Sequence, residues 1–275
     1  MIGCLHFTAM SYPLAIIDAF TSHRFSGNPA AVCVLPAPAD VAWMQLVARE
    51  MNLSETAFLS PSVDDVDAFD LRWFAPLVEV DLCGHATLAT AHLLWESGRI
   101  SPGTVARFHS KSGVLTARRH ADWIELDFPA TPDEPVEAPD RLAEILGATP
   151  VYVGLSRFDY LVEVDGEDVV RNLTPDLAAI ATWPARGVMV TSQARTPHVD
   201  FVSRFFGPAA GINEDPATGS AHCCLGPYWS RKLGKNEFVA RQLSARGGEL
   251  RVRCDGDRVY LGGQAVTVLR GELIV

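Results

Sequence analysis

The sequence predicts an α+β protein composed of two half-molecules of the same architecture. Short β-branched or alternating runs outnumber helical segments, and two helices are expected to open at glycine. The third observation is an internal repeat: an ungapped shift of 135 positions over 79–126 pairs Gly84 with Gly219 and Gly113 with Gly248. It gives eight identities in 48 positions, against roughly three expected from average composition. Chance similarity between two αβ segments is the alternative interpretation.

The first half combines apolar runs, turn-rich segments and helical spacing in a regular order. The turn-rich segment 21–29 separates two strand-like runs, and apolar residues at helical spacing follow Asp40, which is a candidate N-cap. The expected elements are strands at 13–20 and 30–35, a helix at 40–52, strands at 53–60 and 70–74, a helix at 84–96, and a hairpin at 113–128.

A proline-rich segment, 129–139, is the best candidate for a linker between two domains, here expected at 10–128 and 129–275. Met10 directly precedes the first convincing strand, so residues 1–9 are expected to contribute nothing to the fold. The elements expected after the linker are a helix at 140–146, strands at 160–164 and 187–192, a helix at 219–232, and strand runs at 249–253, 258–261 and 265–275.

Charge and cysteine usage exclude several classes of function. The 33 acidic and 23 basic side chains give a net charge of −10, whereas nucleic-acid binding needs clustered Lys and Arg, so no nucleic-acid partner is expected. The six cysteines form no regular pattern and are expected to be reduced. No apolar run is long enough to cross a membrane, and the N-terminal stretch makes a poor signal peptide. A cytoplasmic location is therefore expected.

If a pseudo-twofold axis relates the halves, the helices that begin at Gly84 and Gly219 direct their N-termini into one cleft. Helix starts carry unpaired N–H groups and about half a positive charge each, so two converging starts form a receptor for a carboxylate. Thr218 and Ser220 would add hydroxyls and His85 a ring nitrogen. The alternative is that Gly-His and Gly-Ser are ordinary helix caps.

Two carboxyl groups are candidates for work in this cleft. Asp215 precedes the second helix and could bond substrate or orient His85, or it could simply cap the helix. Glu55 is flanked by apolar residues, which leaves open a buried carboxyl with a raised pKa that acts as a general acid/base. The alternative for Glu55 is an exposed and inert side chain.

Familiar catalytic and metal-binding motifs are missing from the sequence. It contains no G-x-S-x-G, P-loop, G-x-G-x-x-G or H-E-x-x-H pattern. Cys83 and His85 alone make a weak zinc site, so no metal is expected. His222, Cys223 and Cys224 are expected to be packing residues within the second helix.

Five segments together resemble the PhzF family, phenazine biosynthesis-like isomerases that share the diaminopimelate epimerase fold. The segments are DAFTSHRFSGNPAAV (18–32), NLSETAFL (52–59), RWFAPLVEVDLCGHATLATAHLL (72–94), GVMVTS (187–192) and DFVSRFFGPAAGINEDPATGSAH (200–222). The resemblance implies two pseudo-symmetric domains, each an antiparallel, barrel-like sheet around a central helix, with the active site between them. It also implies a homodimer that acts on a small carboxylate without a cofactor.

The resemblance also assigns roles to individual residues. It implies four catalytic positions, Glu55, His85, Asp215 and Ser220, and three substrate-binding positions, Asn28, Gly84 and Gly219. Thr218 is expected to be a fourth substrate-binding residue because of its hydroxyl at the helix start. Related racemases use two cysteines, one at each helix start; here Cys83 occupies one position and its repeat mate is Thr218, so a two-thiol mechanism is not expected. A single-base proton shift by Glu55 is expected instead. An epimerase-like reaction that uses Cys83 and a non-catalytic anion-binding protein are the alternatives.

Overall fold

The computed structural model describes residues 11–275, which form eighteen strands and six α-helices. The strands are β1 (Ser11–Ala19), β2 (Asn28–Val34), β3 (Glu55–Pro61), β4 (Phe69–Phe74), β5 (Glu79–Val80), β6 (Ala106–Ser110), β7 (Gly113–His120), β8 (Trp123–Pro129), β9 (Glu134–Pro135), β10 (Pro150–Leu155), β11 (Asp159–Val164), β12 (Gly187–Gln193), β13 (Phe201–Gly207), β14 (Ile212–Asp215), β15 (Glu237–Gln242), β16 (Gly248–Asp255), β17 (Arg258–Gly263) and β18 (Ala265–Ile274). The helices are α1 (Val41–Met51), α2 (Gly84–Glu96), α3 (Leu142–Leu146), α4 (Glu167–Arg171), α5 (Leu177–Ile180) and α6 (Gly219–Leu233).

The strands form two lobes, each wrapped around one long helix. In the first lobe, β18, β1, β2, β3, β4, β6, β7 and β8 follow one another around α2. In the second lobe, β9, β10, β11, β12, β13, β15, β16 and β17 follow one another, and α6 packs against β16 and β17. The lobes are joined where β8 pairs antiparallel with β17. The expected architecture of two similar α+β halves is confirmed.

Most strand pairs are antiparallel, as expected, but the described chain also contains parallel pairs at matching places in the two lobes. They are β2 with β3 and β4 with β6 in the first lobe, and β11 with β12 and β13 with β15 in the second. A parallel pair needs a crossover between its strands, and α1 supplies that crossover between β2 and β3. Local sequence pattern contains no sign of this long-range choice.

The last strand of the chain, β18, lies in the first lobe rather than with the rest of the second half. β9 follows β8 and pairs with β10, while β18 follows β17 and pairs along the whole of β1. The division at 128 and 129 stays a prediction, with 265–274 an exception because these residues pack in the first lobe.

The internal repeat is confirmed by element boundaries and by a duplicated ion pair. β7 and β16 begin at Gly113 and Gly248, 135 positions apart as the sequence shift requires. Arg72 and Arg204 each direct Nε to Oε1 of a glutamate at 2.7 Å, with Glu79 and Glu214 as the respective partners. The similarity between the two halves therefore extends to side-chain contacts.

Helix α2 is buried on nearly all sides, so its polar residues need partners inside the helix. Thr87 Oγ1 donates to the Cys83 carbonyl at 2.5 Å, and Thr90 Oγ1 donates to the Ala86 carbonyl at 2.7 Å. These bonds satisfy hydroxyls that no water reaches. A short helix rich in alanine and leucine can therefore occupy the centre of the sheet.

Helix α6 contains Pro227, which has no N–H to donate to the carbonyl of Cys223. The backbone N–H of Thr131, in the proline-rich segment, donates to that carbonyl at 3.0 Å instead. The expected linker is therefore fixed to the central helix of the second lobe. His222, Cys223 and Cys224 are buried, as the packing prediction required.

Within residues 11–275, five cysteines are free, which agrees with the expectation of reduced thiols. The predictions about residues 1–9 lie outside the described residues. No helix in the described part is both long and apolar enough to cross a membrane.

Candidate functional site

The two central helices meet at their N-termini. A Cβ added to Gly84 would lie 3.2 Å from the Gly219 Cα, and one added to Gly219 would lie 3.2 Å from the Gly84 Cα. A side chain at either position would push the two backbones apart. The expected convergence of helix starts is therefore present, and it places two sets of unpaired N–H groups side by side.

A cavity of about 110 Å³ lies at this junction between the lobes. Seven of the eight predicted site residues line it: Glu55, Gly84, His85, Asp215, Thr218, Gly219 and Ser220. Wider grooves of about 470 and 630 Å³ exist elsewhere, but the acidic residues that line them are not buried. Unlike these two grooves, the small cavity combines buried carboxyl groups with helix starts.

Asn28, the eighth predicted residue, lies outside the lining of the cavity, and its expected role in substrate binding stays a prediction. It is fully buried. Its Nδ2 donates to Asp215 Oδ1 at 2.8 Å and to the Ala217 carbonyl at 3.0 Å, and lies 3.1 Å from His85 Nδ1. The GNP segment identified Asn28 as a candidate site residue, but it did not show how deeply the side chain is buried. Asn28 holds two cavity residues in place from behind.

Strand topology explains why Asn28 and Glu55 both lie beside the junction of the two helix starts. Asn28 is the first residue of β2 and Glu55 the first residue of β3, and these strands run parallel with Ala30 opposite Glu55. Parallel strands that begin together place their first side chains at one sheet edge. Gly27 makes the turn into β2 with φ of +64°, and a Cβ there would lie 2.2 Å from the Ala19 carbonyl oxygen.

The surroundings of His85 determine which ring nitrogen carries its proton. Nδ1 faces the Asn28 amide group, a donor, at 3.1 Å, and lies 3.5 Å from the Cys83 sulfur. Burial lowers the pKa of His85 to about 3, so the ring is neutral. With Nδ1 facing the Asn28 amide, the proton is assigned to Nε2. Nε2 lies 3.3 Å from Glu55 Oε2, but this contact does not have hydrogen-bond geometry.

Glu55 is largely dehydrated, with 12% of its side chain exposed. Burial, and after it the negative charge of Asp215, raises the pKa of Glu55 to about 8, against opposing contributions from a Cys83 hydrogen bond and the Arg186 charge. Burial also raises the pKa of the Cys83 thiol well above its ordinary value. The carboxyl can therefore exchange a proton near neutral pH, whereas the thiol stays protonated.

Asp215 is held by side chains rather than by the helix that follows it. Its Oδ2 accepts from Thr218 Oγ1 at 2.5 Å and its Oδ1 from Asn28. Burial raises the pKa of Asp215 to about 6, although these hydrogen bonds lower it. Because no backbone N–H of α6 donates to the Asp215 side chain among the described residues, the helix-cap interpretation is wrong.

Sequence reasoning missed two residues of the site, Gln242 and Arg186. Gln242 accepts from the Thr218 N–H at 2.8 Å and donates to the Asp215 carbonyl at 2.6 Å, so a strand of the second lobe fixes the start of α6. Arg186 lines the cavity and donates from Nη2 to Ser220 Oγ at 3.0 Å. A repeat alignment that allowed a gap would have drawn attention to Arg186, since it precedes the strand that matches β3.

The two lobes do not offer the same chemistry to the cavity. The strand pairing with β4 and β13 makes Gly187, the first residue of β12, the structural counterpart of Glu55. A Cβ at Gly187 would lie 2.5 Å from the Phe206 carbonyl oxygen, so no acid fits there. The counterpart of Cys83 is Thr218. At this pair of positions only the first lobe therefore supplies a carboxyl, Glu55, while the second lobe contributes the buried Asp215 from β14 instead.

Glu55, Cys83 and His85 also bring potential ligand atoms within 4.8 Å of one another, a grouping of described residues that could hold a metal ion. The donor set of one carboxylate, one thiol and one imidazole is of a type found in zinc sites. An ion there would have to displace the thiol proton, which burial retains. The absence of a metal in the mechanism stays a prediction.

Comparison with known proteins gives a consistent set of similarities. A sequence model of the family described as phenazine biosynthesis-like protein, PhzC-PhzF, matches residues 17–271. The chain is 55% identical to an uncharacterized isomerase of Halalkalibacterium halodurans, over 97% of this chain and 100% of the relative. The crystal structure of a PhzF family protein from Enterococcus faecalis matches with a TM-score of 0.91 and 40% identity, over 97% of this chain and 100% of the other.

A more distant likeness supports the fold alone. The crystal structure of a hydroxyproline epimerase from Agrobacterium vitis superimposes with a TM-score of 0.66 at 14% identity, covering 96% of this chain and 93% of the other. The epimerase-like fold is therefore shared well beyond the sequence similarity.

Proposed function

The chain belongs to the phenazine biosynthesis-like family, PhzC-PhzF, and from this membership and the geometry of the cavity we propose that it is an isomerase that shifts a proton within a small carboxylate. The observation that carries the proposal is the dehydrated Glu55 carboxyl, which lies in a cavity that also contains two helix starts. The helix starts favour a bound carboxylate, and Glu55 supplies a group able to accept and return a proton.

In the proposed reaction, ionised Glu55 removes a proton from a carbon of the bound substrate. The electron pair of the broken C–H bond delocalises toward the substrate carboxylate, giving a dienolate-like anion. The N–H groups at Gly84 and Gly219, with the Ser220 hydroxyl, stabilise the added charge. Protonated Glu55 then returns the proton to another carbon on the same face. The reaction needs no oxidant, reductant or cofactor, because Glu55 returns the proton that it removed.

His85 and Asp215 have supporting roles in this proposal. Nε2 of the neutral His85 ring lies 3.3 Å from Glu55 Oε2, and in this proposal it donates to the carboxylate once Glu55 is ionised and so stabilises the base form. Asp215 lies close enough to raise the pKa of Glu55 through its charge. With these neighbours, Glu55 has a pKa of about 8, so the carboxyl can both accept and donate a proton near neutral pH.

Activity is expected to rise with pH as Glu55 becomes ionised. Because the base form must start the reaction and the pKa of Glu55 is raised to about 8, kcat/KM should increase tenfold per pH unit below that value and level off above it. Asp215, with a pKa of about 6, ionises first and adds the charge that delays Glu55. A pH profile of kcat/KM checks this, and a profile that is flat or falling through this region would contradict it.

Replacing Cys83 with alanine separates the proposed mechanism from the epimerase-like alternative. If Glu55 is the base, Cys83→Ala should retain kcat/KM within a few-fold, because the thiol stays protonated. If Cys83 is a catalytic base, the loss should reach about 10²-fold or more. Cys33→Ala, which removes another fully buried thiol outside the cavity, is the control for packing effects.

An isotope-exchange screen tests the proposed function directly. The protein is incubated in D₂O with a panel of small unsaturated carboxylates, and NMR reads the position of C–H bonds and of deuterium. An isomerase shifts a double bond and incorporates some solvent deuterium. A ligand that raises the melting temperature but shows neither change over long incubation would support the non-catalytic alternative.

A further inference from the structure

Arg186 occupies an unusual position for a charged side chain that has no assigned role. It immediately precedes β12, lines the cavity and keeps 36% of its side chain exposed. Its guanidinium lies 5.4 Å from the ring centroid of Phe158 and 5.5 Å from that of Phe205. Aromatic rings at these distances limit the positions that the guanidinium can adopt.

Hydrogen bonds orient the guanidinium further. Nε donates to Asp159 Oδ1 at 2.9 Å, and Nη2 donates to both Asp159 Oδ2 and Ser220 Oγ, at 2.5 and 3.0 Å. Asp159 is buried, with 2% of its side chain exposed. Nη1 donates to no protein group within residues 11–275, so the guanidinium retains free N–H donors next to a serine at the start of α6.

The remaining walls of the cavity are mostly apolar and come from both lobes. They are formed by Val78, Val80, Leu82, Phe205, Ala210 and Ile212. Arg186 is the only Lys or Arg among the described lining residues, and the two helix starts add about half a positive charge each. Because Asp159 already offsets the charge of Arg186, about one positive charge remains, which one carboxylate matches, whereas a second would face Glu55 and Asp215 without a cation.

We infer that Arg186 is a specificity-determining residue that binds the substrate carboxylate together with Ser220 and the helix starts, and that the substrate is a small monocarboxylate whose remaining part is apolar. Calling this ligand a substrate rests on the proposed function, whereas the binding itself does not require catalysis. Asp159 acts as a positioning residue, since it fixes the guanidinium without lining the cavity. The cavity volume of about 110 Å³ favours a ligand of modest size.

The test compares two probes with the same number of non-hydrogen atoms, benzoate and glutarate, in titration calorimetry with the full chain. Benzoate is expected to bind at least tenfold more tightly than glutarate, because only benzoate presents one carboxylate and an apolar remainder. The double variant Asp159→Asn/Arg186→Met removes both charges, so no buried carboxylate is left unpaired. It should bind benzoate at least tenfold more weakly than the wild type.

Two further variants make the outcomes separable. Arg258→Met removes an arginine of similar exposure, 37%, that pairs with Asp127 outside the cavity, and should leave benzoate affinity unchanged. Glu55→Gln should also retain benzoate binding, so a failure of catalysis by Glu55 would not affect the result. Equal benzoate affinity in the double variant and the wild type, or tighter binding of glutarate, would overturn the inference whatever the activity.

Discussion

Replacing Glu55 with glutamine is expected to lower kcat/KM by roughly 10²–10⁴-fold, the range typical of a lost general acid/base. Glutamine has the size of glutamate and can still face His85 Nε2, now 3.3 Å from Glu55 Oε2, but it cannot accept a proton from carbon. The measurement is the rate of isomerisation together with solvent deuterium incorporation into product. Wild-type deuterium incorporation by Glu55→Gln would show that another group moves the proton.

The same variant carries a thermodynamic control that needs no substrate. The folded-state pKa of Glu55, about 8, lies above the ordinary value of 4.5. Between these values the folded protein holds a proton that the unfolded chain releases, so this carboxyl stabilises the fold below pH 4.5 and the contribution disappears as the pH rises through 8. Glutamine does not titrate. Relative to wild type, Glu55→Gln should therefore gain stability with rising pH, by a few kcal/mol above the folded-state pKa.

Breaking the ion pair between Asp18 and Arg246 is expected to have the largest effect on stability. Arg246 Nη2 donates to Asp18 Oδ1 at 2.7 Å and its Nε donates to the Gly27 carbonyl at 2.8 Å, so the second lobe holds the turn that leads into Asn28. Asp18 is 2% exposed and Arg246 33%. Arg246→Met should lower the free energy of unfolding by about 3 kcal/mol, since it leaves a buried carboxylate unpaired.

Denaturant unfolding measures this loss, and two further variants identify its cause. Arg241→Met removes an arginine from an exposed pair with Glu249, which are 46% and 40% exposed, and should cost less than about 1 kcal/mol. The double variant Asp18→Asn/Arg246→Met should be more stable than Arg246→Met alone, because the unpaired charge is gone. Equal costs for Arg246→Met and Arg241→Met would contradict this account.

The sequence alone predicted the features that are encoded in local residue patterns and in the internal repeat. Gly84 and Gly219 were found as matching helix starts, and they are in contact as that match requires. Glu55 was recognised from its apolar flanks and from the family resemblance. The remaining features depend on contacts within the second lobe between residues far apart in sequence: Gln242 holds the start of α6, and Arg186 reaches Ser220, over separations of 24 and 34 residues.

How deeply a side chain is buried was a second property that the sequence could not supply. Asn28 was expected to contact substrate because it matches a site-lining position of the family that the sequence resembles, but the parallel pairing of β2 with β3 places it behind His85 and Asp215. The placement of β18 in the first lobe was equally hidden, because a strand's partner is set by packing rather than by its own residues.

The claim on which the catalytic account depends is that Glu55 is a dehydrated carboxyl poised near neutral pH. Carbon-13 NMR of protein labelled at the glutamate carboxyl carbon, compared with the same spectra of Glu55→Gln, isolates the resonance of this one group. The account predicts a resonance, absent from the variant, that titrates with a midpoint near the raised pKa of about 8. A resonance that titrates near the ordinary value of 4.5 would contradict it, because an acid already ionised at that pH is a weak base for a carbon-bound proton.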